Sequence, residues 1–221
     1  MTRNLERQFL PAVWLIGFAA LFGGSACAQP SVIEEAAADE AQHSLNVATA
    51  AVHRLQDALI AATDHPDVRT RFEFLSDEIA ATHDLRFIGE LTVRRQWREF
   101  TDAQRSEFSD RFAALSVMSY AARFGAVDAD SFETHGVETI AGGRVQVATS
   151  IARADGSTVG LDYVLQDSGQ GWRIVNVVAD GVSDLALKRA EYRAVLEERG
   201  FEGLLAELEE QTENLAESAA Q

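Results

Sequence analysis

Apolar residues in the first half of the chain recur at helical spacing. Leu45, Ala48, Val52, Leu55 and Leu59 fall at intervals of three and four and share one helix face. Asp64-His65-Pro66 interrupts the stripe. Pro66 is well placed to open the next helix, because proline suits the first helical position. Val68, Phe72, Leu75 and Ile79 form a second stripe, and Leu85, Ile88 and Leu91 predict a shorter third helix. Thr101-Asp102-Ala103-Gln104 has the form of a capping box. It opens a helix whose apolar face includes Phe108, Phe112 and Leu115, with Gly125 as its stop.

The period then changes from 3.6 to two. Val145, Val147, Thr149 and Ile151 alternate with polar or small residues, as do Val159, Leu161, Tyr163 and Leu165. Asp155-Gly156 lies between these runs and signals a hairpin. Gly142-Gly143 marks an earlier hairpin, preceded by a strand from about Phe132 to Ile140. The Ser168-Gly169-Gln170-Gly171 turn leads into Trp172, Ile174, Asn176 and Val178. Ser183 caps a helix that Gly200 ends, and Phe201, Leu204, Leu205 and Leu208 begin a last amphipathic helix. The expected class is α+β: helices covering one apolar face of a curved four-stranded antiparallel meander, followed by a C-terminal helical segment. Such a sheet resembles the cone of nuclear-transport-factor-like folds.

The N-terminus adds a compartment. Arg3 and Arg7 precede an apolar run from Phe9 to Phe22, and Ala26-Cys27-Ala28 provides small residues around a cleavage point. This is the layout of a secretory signal peptide, and the run is short of the roughly 20 residues that span a bilayer. The expected organisation is a signal peptide at 1–28, one domain at 29–210 and a frayed acidic tail at 211–221. Cys27, the only cysteine, then leaves with the signal, and the mature chain has no disulfide. A lipidated Cys27 is the alternative, although Gly24-Ser25-Ala26 lacks the large aliphatic residue usual before it.

The full chain has 19 Lys+Arg against 35 Asp+Glu, and removal of residues 1–28 leaves 17 against 34. So acidic a surface repels phosphate backbones and anionic bilayers, which argues against nucleic acid as a partner. His43, His53, His65, His83 and His135 form no H-x-x-x-H pair, so no metal site is expected. Gly181-Val182-Ser183-Asp184-Leu185 lacks the second glycine of a nucleophile elbow, and neither a dinucleotide fingerprint nor a P-loop occurs. No cofactor is expected.

Two segments carry a family resemblance. Trp172 to Ser183, reading Trp-Arg-Ile-Val-Asn-Val-Val-Ala-Asp-Gly-Val-Ser, resembles the last strand and Gly-Val-Ser turn of the MlaC/toluene-tolerance family of periplasmic phospholipid-binding proteins. Arg189 and Tyr192, then Gly200-Phe201 and Leu204-Leu205, follow in the family's order. Arg71-Phe72, Trp97, Thr101 to Gln104, Phe108, Phe112 and Tyr120 resemble its helical half. The chain departs from the pattern at His83-Asp84, Val93-Arg94, Asp184 and Lys188. Asp-Gly-Val-Ser-Asp-Leu-Ala, from Asp180 to Ala186, looks more like the branch associated with hopanoid loci.

The resemblance implies a carrier and not an enzyme. It would hold phospholipid or a hopanoid-type lipid in an under-packed apolar cavity in the periplasm. Its implied partners are an inner-membrane ABC transporter with a substrate-binding lipid-transfer component and an outer-membrane lipoprotein complex. Candidate lining comes from the helices as Phe72, Leu75, Ile79, Leu85 and Ile88. The sheet adds Val147, Ile151, Leu161, Tyr163, Ile174 and Val178, and Phe108, Phe112 and Tyr120 close one side. Each of these apolar positions is equally at home in a packed core. Lys188 and Arg189 are candidate head-group contacts, or else ordinary helix-face cations. Two alternatives stand beside the carrier. One is a cone-fold isomerase or dehydratase using His83, Asp84 and Tyr163 as base and donor. The other is a periplasmic adaptor that binds only protein.

Overall fold

The structure, a computed structural model, describes residues 32–125, 132–152 and 156–219. The signal-peptide region with Cys27, the hairpin residue Asp155 and the last two residues lie outside these. Among the described residues no helix is long and apolar enough to cross a membrane.

Among the described residues, five α-helices and five strands follow one another in the expected order. Helix α1 (Val32–Ala61) carries the first stripe, and Ala48, Val52, Leu55 and Leu59 are all fully buried. Helix α2 (Val68–Thr82) begins after Asp67, whose carboxylate accepts from the Arg69 and Thr70 amides. Pro66 therefore lies one residue outside the cap. Helix α3 (Leu85–Val93) is capped by Asp84, which accepts from the Phe87 amide at 3.0 Å. Helix α4 (Asp102–Arg123) starts at a complete capping box: the Gln104 amide donates to Thr101 Oγ1 at 3.2 Å and the Thr101 amide to Gln104 Oε1 at 2.9 Å.

The sheet is an antiparallel meander in the order β1-β2-β3-β4-β5. Its strands are β1 (Phe132–Ile140), β2 (Arg144–Ala152), β3 (Thr158–Asp167), β4 (Trp172–Ala179) and β5 (Val182–Ser183). The fifth, two residues long, corrects the expected four. Asp180 and Gly181 both have positive φ, 48° and 80°, which suits a two-residue hairpin loop joining β4 to β5. Asp180 also accepts from the Gly160 amide at 2.8 Å, tying the turn to β3. On β3 the buried positions alternate, and they face the helices.

A register shift on β4 changes the expected face of one residue. Leu165 pairs with Ile174 and Val164 with Asn176, so Val175 is an extra residue. Beyond this bulge Val177 stands opposite Tyr163 and Ala179 opposite Leu161, whereas Val178 pairs with Asp162. Period-two counting from Ile174 puts Val178 on the inner face, and the bulge gives that face to Val177 instead.

The last helix, α5 (Asp184–Ser218), starts at Ser183, whose hydroxyl accepts from the Ala186 amide. It is broken at Gly200, where φ is 67° and ψ −166°. The second half turns back along the first, because Gln211 donates to Glu191 and Arg199 pairs with Glu207. The helix continues to Ser218 through residues expected to fray, with Leu215 packed against the core.

Burial divides the core in two. One cluster joins α1, α2 and the C-terminal half of α4 to the sheet. The other joins α3, the N-terminal half of α4 and α5. The gap between them is where a cavity forms.

Candidate functional site

The cavity has a volume of about 700 Å³. Ile151, Leu161, Tyr163, Ile174 and Val177 form its sheet wall. Opposite stand Leu85 and Ile88 of α3, Phe112 and Tyr120 of α4, and Leu185 of α5. Val182 and Leu187, the most exposed large apolar residues among the described residues at 51% and 58%, line it too. The space opens to solvent at one rim, and most of its lining is apolar.

Its placement follows from local chemistry. The Asn176 side-chain oxygen accepts from the Ser183 hydroxyl at 3.0 Å and the Leu185 amide at 3.3 Å, which pins the start of α5 beside β4. His83, the C-cap of α2, pairs with Ile174 as an isolated bridge, and the Asp84 amide donates to the Ile174 carbonyl at 3.0 Å. The α2–α3 corner is thus fastened to β4 on the cavity's other side.

Among the sequence-expected positions, Leu85, Ile88, Phe112, Tyr120, Ile151, Leu161, Tyr163 and Ile174 all meet at this cavity. Leu75, Ile79 and Val147 are fully buried in the sheet-side cluster, with Phe72 packed against it. Phe108 is fully buried in the other cluster, its ring 6.2 Å from that of Trp97. Lys188 reaches the cavity and holds Asp184 at 2.7 Å. Arg189 is directed elsewhere: its Nε donates to the Leu91 carbonyl of α3 at 3.1 Å.

His83, expected in a pocket only under the enzyme alternative, and Arg123, which the sequence did not mark, line the cavity too. His83 follows the last periodic residue of α2, and Arg123 reads as an ordinary basic helix end. His83 is buried, with Nδ1 3.0 Å from the Thr82 hydroxyl and Nε2 2.9 Å from the Tyr120 hydroxyl. Burial pushes its pKa down to about 4, against smaller opposing effects of its hydrogen bond to Ile79 and of Asp184. The imidazole is neutral near pH 7. Burial likewise raises the Tyr120 and Tyr163 hydroxyls. The expected base Asp84 caps α3 and is not among the cavity-lining residues. Among the described residues no cluster of three or more His, Cys, Asp or Glu is arranged to hold a metal.

A meander covered by helices that leave an apolar space open at one rim defines a ligand-binding domain for apolar or amphipathic molecules. The chain belongs to the MlaC family, whose model, described as MlaC protein, matches residues 46–210. No curated protein matches the chain. Among solved structures, a phospholipid-binding protein from Ralstonia solanacearum, in complex with a phospholipid, has the same fold, with a TM-score of 0.68 and 22% sequence identity. That likeness covers 76% of this chain and 98% of the other.

Proposed function

We propose that this protein is a periplasmic carrier that holds a phospholipid or a related hopanoid-type lipid between its sheet and helical cover. It passes that lipid between an inner-membrane ABC transporter, with its substrate-binding lipid-transfer component, and an outer-membrane lipoprotein complex. The observation that carries the reading is the apolar cavity of about 700 Å³. If each carbon takes about the 30 Å³ share of a water in the liquid, a sixteen-carbon tail needs roughly 480 Å³. One such tail fits with room left over. Burying it contributes about 0.8 kcal/mol per methylene, roughly 13 kcal/mol before ordering costs.

Family membership and the phospholipid held by the Ralstonia protein support a lipid as the ligand. They point to binding rather than catalysis. Export is supported by the layout from Met1 to Ala28. The acidic surface favours release from anionic membranes after loading. The pocket-enzyme reading is less well supported. His83 and Tyr163 share the cavity, but Asp84 is engaged as a helix cap and both nitrogens of His83 have hydrogen-bond partners.

The test is lipid extraction and mass spectrometry on protein purified without detergent. Wild type should carry lipid. Leu161→Arg places a charge on the sheet wall and should abolish retention while circular dichroism remains native. Equal lipid content in a folded variant would falsify the cavity assignment.

A further inference from the structure

A second cavity of about 380 Å³ adjoins the first. Ser119, Arg123, Asp184, Leu187 and Lys188 line both, so the two spaces share a rim. Their chemistry differs. The larger space is walled mainly by apolar side chains, whereas Glu191, Gln211, Asn214 and Ser218 give the smaller one a polar wall.

The charges around this vestibule are balanced but not all paired with each other. Lys188 holds Asp184 at 2.7 Å. Glu191 accepts from the neutral Gln211 amide. Arg123 is exposed at the rim, and among the described residues no hydrogen bond or ion pair engages its side chain. One cation and one carboxylate that have no ion-pair partner among the described residues therefore line the same space. The far wall, from Gln211 to Ser218, begins where the family match ends at residue 210. It is held in place by Arg111, which reaches Glu209 at 2.6 Å, and by Leu215 packing on the core.

We propose that the vestibule receives the head group of the amphiphile whose tail fills the main cavity, and that its charge pattern selects a zwitterionic aminoalkyl phosphate. The phosphate lies against Arg123 and the ammonium toward Glu191. This rests on the lipid-carrier reading above. A guanidinium suits a phosphate through paired, charge-assisted hydrogen bonds. A purely anionic head group would meet Glu191 with no compensating cation of its own. A head group without phosphate would leave Arg123 with nothing gained.

The test is a competition. Full-length delipidated protein is incubated with mixed vesicles in which phosphatidylethanolamine, phosphatidylglycerol and diacylglycerol share identical acyl chains. The lipid recovered on the protein is quantified by mass spectrometry, and inorganic phosphate is titrated separately by calorimetry. Wild type should favour phosphatidylethanolamine over each competitor by about tenfold, the equivalent of one charge-assisted hydrogen bond. Arg123→Gln should collapse the preference over diacylglycerol, and Glu191→Gln the preference over phosphatidylglycerol. Both residues are exposed, so folding should be unaffected. Phosphate alone should give no binding heat. Ratios in the variants equal to wild type would overturn the head-group assignment and leave the carrier reading standing, as would phosphate binding that Arg123→Gln weakens without any change in lipid ratios. Wild type that takes up none of the three lipids would overturn the carrier reading itself.

Discussion

His83 shows how one side chain links the fold to solution conditions. It caps α2, bridges to β4 and touches the Tyr120 hydroxyl at the cavity wall, with Asp184 as the carboxylate that acts on it electrostatically. Its folded pKa of about 4 lies below the ordinary value of 6.5 because burial disfavours the charged ring. The unfolded chain therefore binds the proton more readily. The stabilising contribution of neutral His83 is complete above about pH 6.5 and is lost as pH falls through about 4, a difference of about 3 kcal/mol. Urea denaturation across this window should show wild type weakening toward acid, with His83→Gln markedly flatter between the two values. The same slope in both proteins would mean that His83 titrates normally. The identity of this residue was visible in the sequence, but its environment was not. Its partners lie on α4 and β4, and periodicity within α2 carries no information about contacts 37 or 91 residues away.

At the scale of elements, three arginines tie helix C-termini to other parts of the fold. Arg71 of α2 donates to the Ala121 carbonyl of α4 at 2.7 Å, and also to the His65 and Pro66 carbonyls at 3.0 and 3.2 Å. Arg173 of β4 donates to Ala80, at 2.9 Å, and to Ala81 near the end of α2. Arg189 of α5 reaches Leu91 near the end of α3. Each guanidinium satisfies carbonyls that a helix leaves open and sits at the negative end of its dipole. Arg71 is 5% exposed, so its removal leaves buried acceptors without donors. Arg71→Met should lower the free energy of unfolding by about 3 kcal/mol, read from the urea midpoint at unchanged slope. A loss under about 1 kcal/mol would mean that water replaces the guanidinium at these carbonyls. Local signals made most elements legible. The Thr101–Gln104 capping box, the alternation of β2 and β3, the Gly142-Gly143 hairpin and the Gly200 break all depend on neighbours within a few residues. The Val175 bulge and the short β5 depend on pairing across the sheet and on Asn176 gripping Ser183, and local alternation is blind to both.

For the whole molecule, the sequence could not separate a filled core from a container. Leu75, Ile79 and Val147 belong to the same buried sheet-side cluster as Ile151, Leu161 and Ile174, yet only the last three also border the cavity. The start of α5 bounds that space beside β4. Asn176 and Ser183 fix where that helix starts, and Arg189 binds it to α3. An unfilled gap deprives its lining of dispersion partners, which makes the empty protein less stable than the loaded one. A ligand that binds only the folded state adds about 2.7 kcal/mol when present at a hundredfold excess over Kd. For a chain of this size each kcal/mol moves the melting point by about 2–4 °C, so reloading delipidated protein should raise Tm by about 5–10 °C. The rise should grow with the logarithm of lipid concentration and vanish in Leu161→Arg. A melting point indifferent to lipid in the wild type would mean that the two clusters close upon each other in solution, and that the space between them holds no cargo.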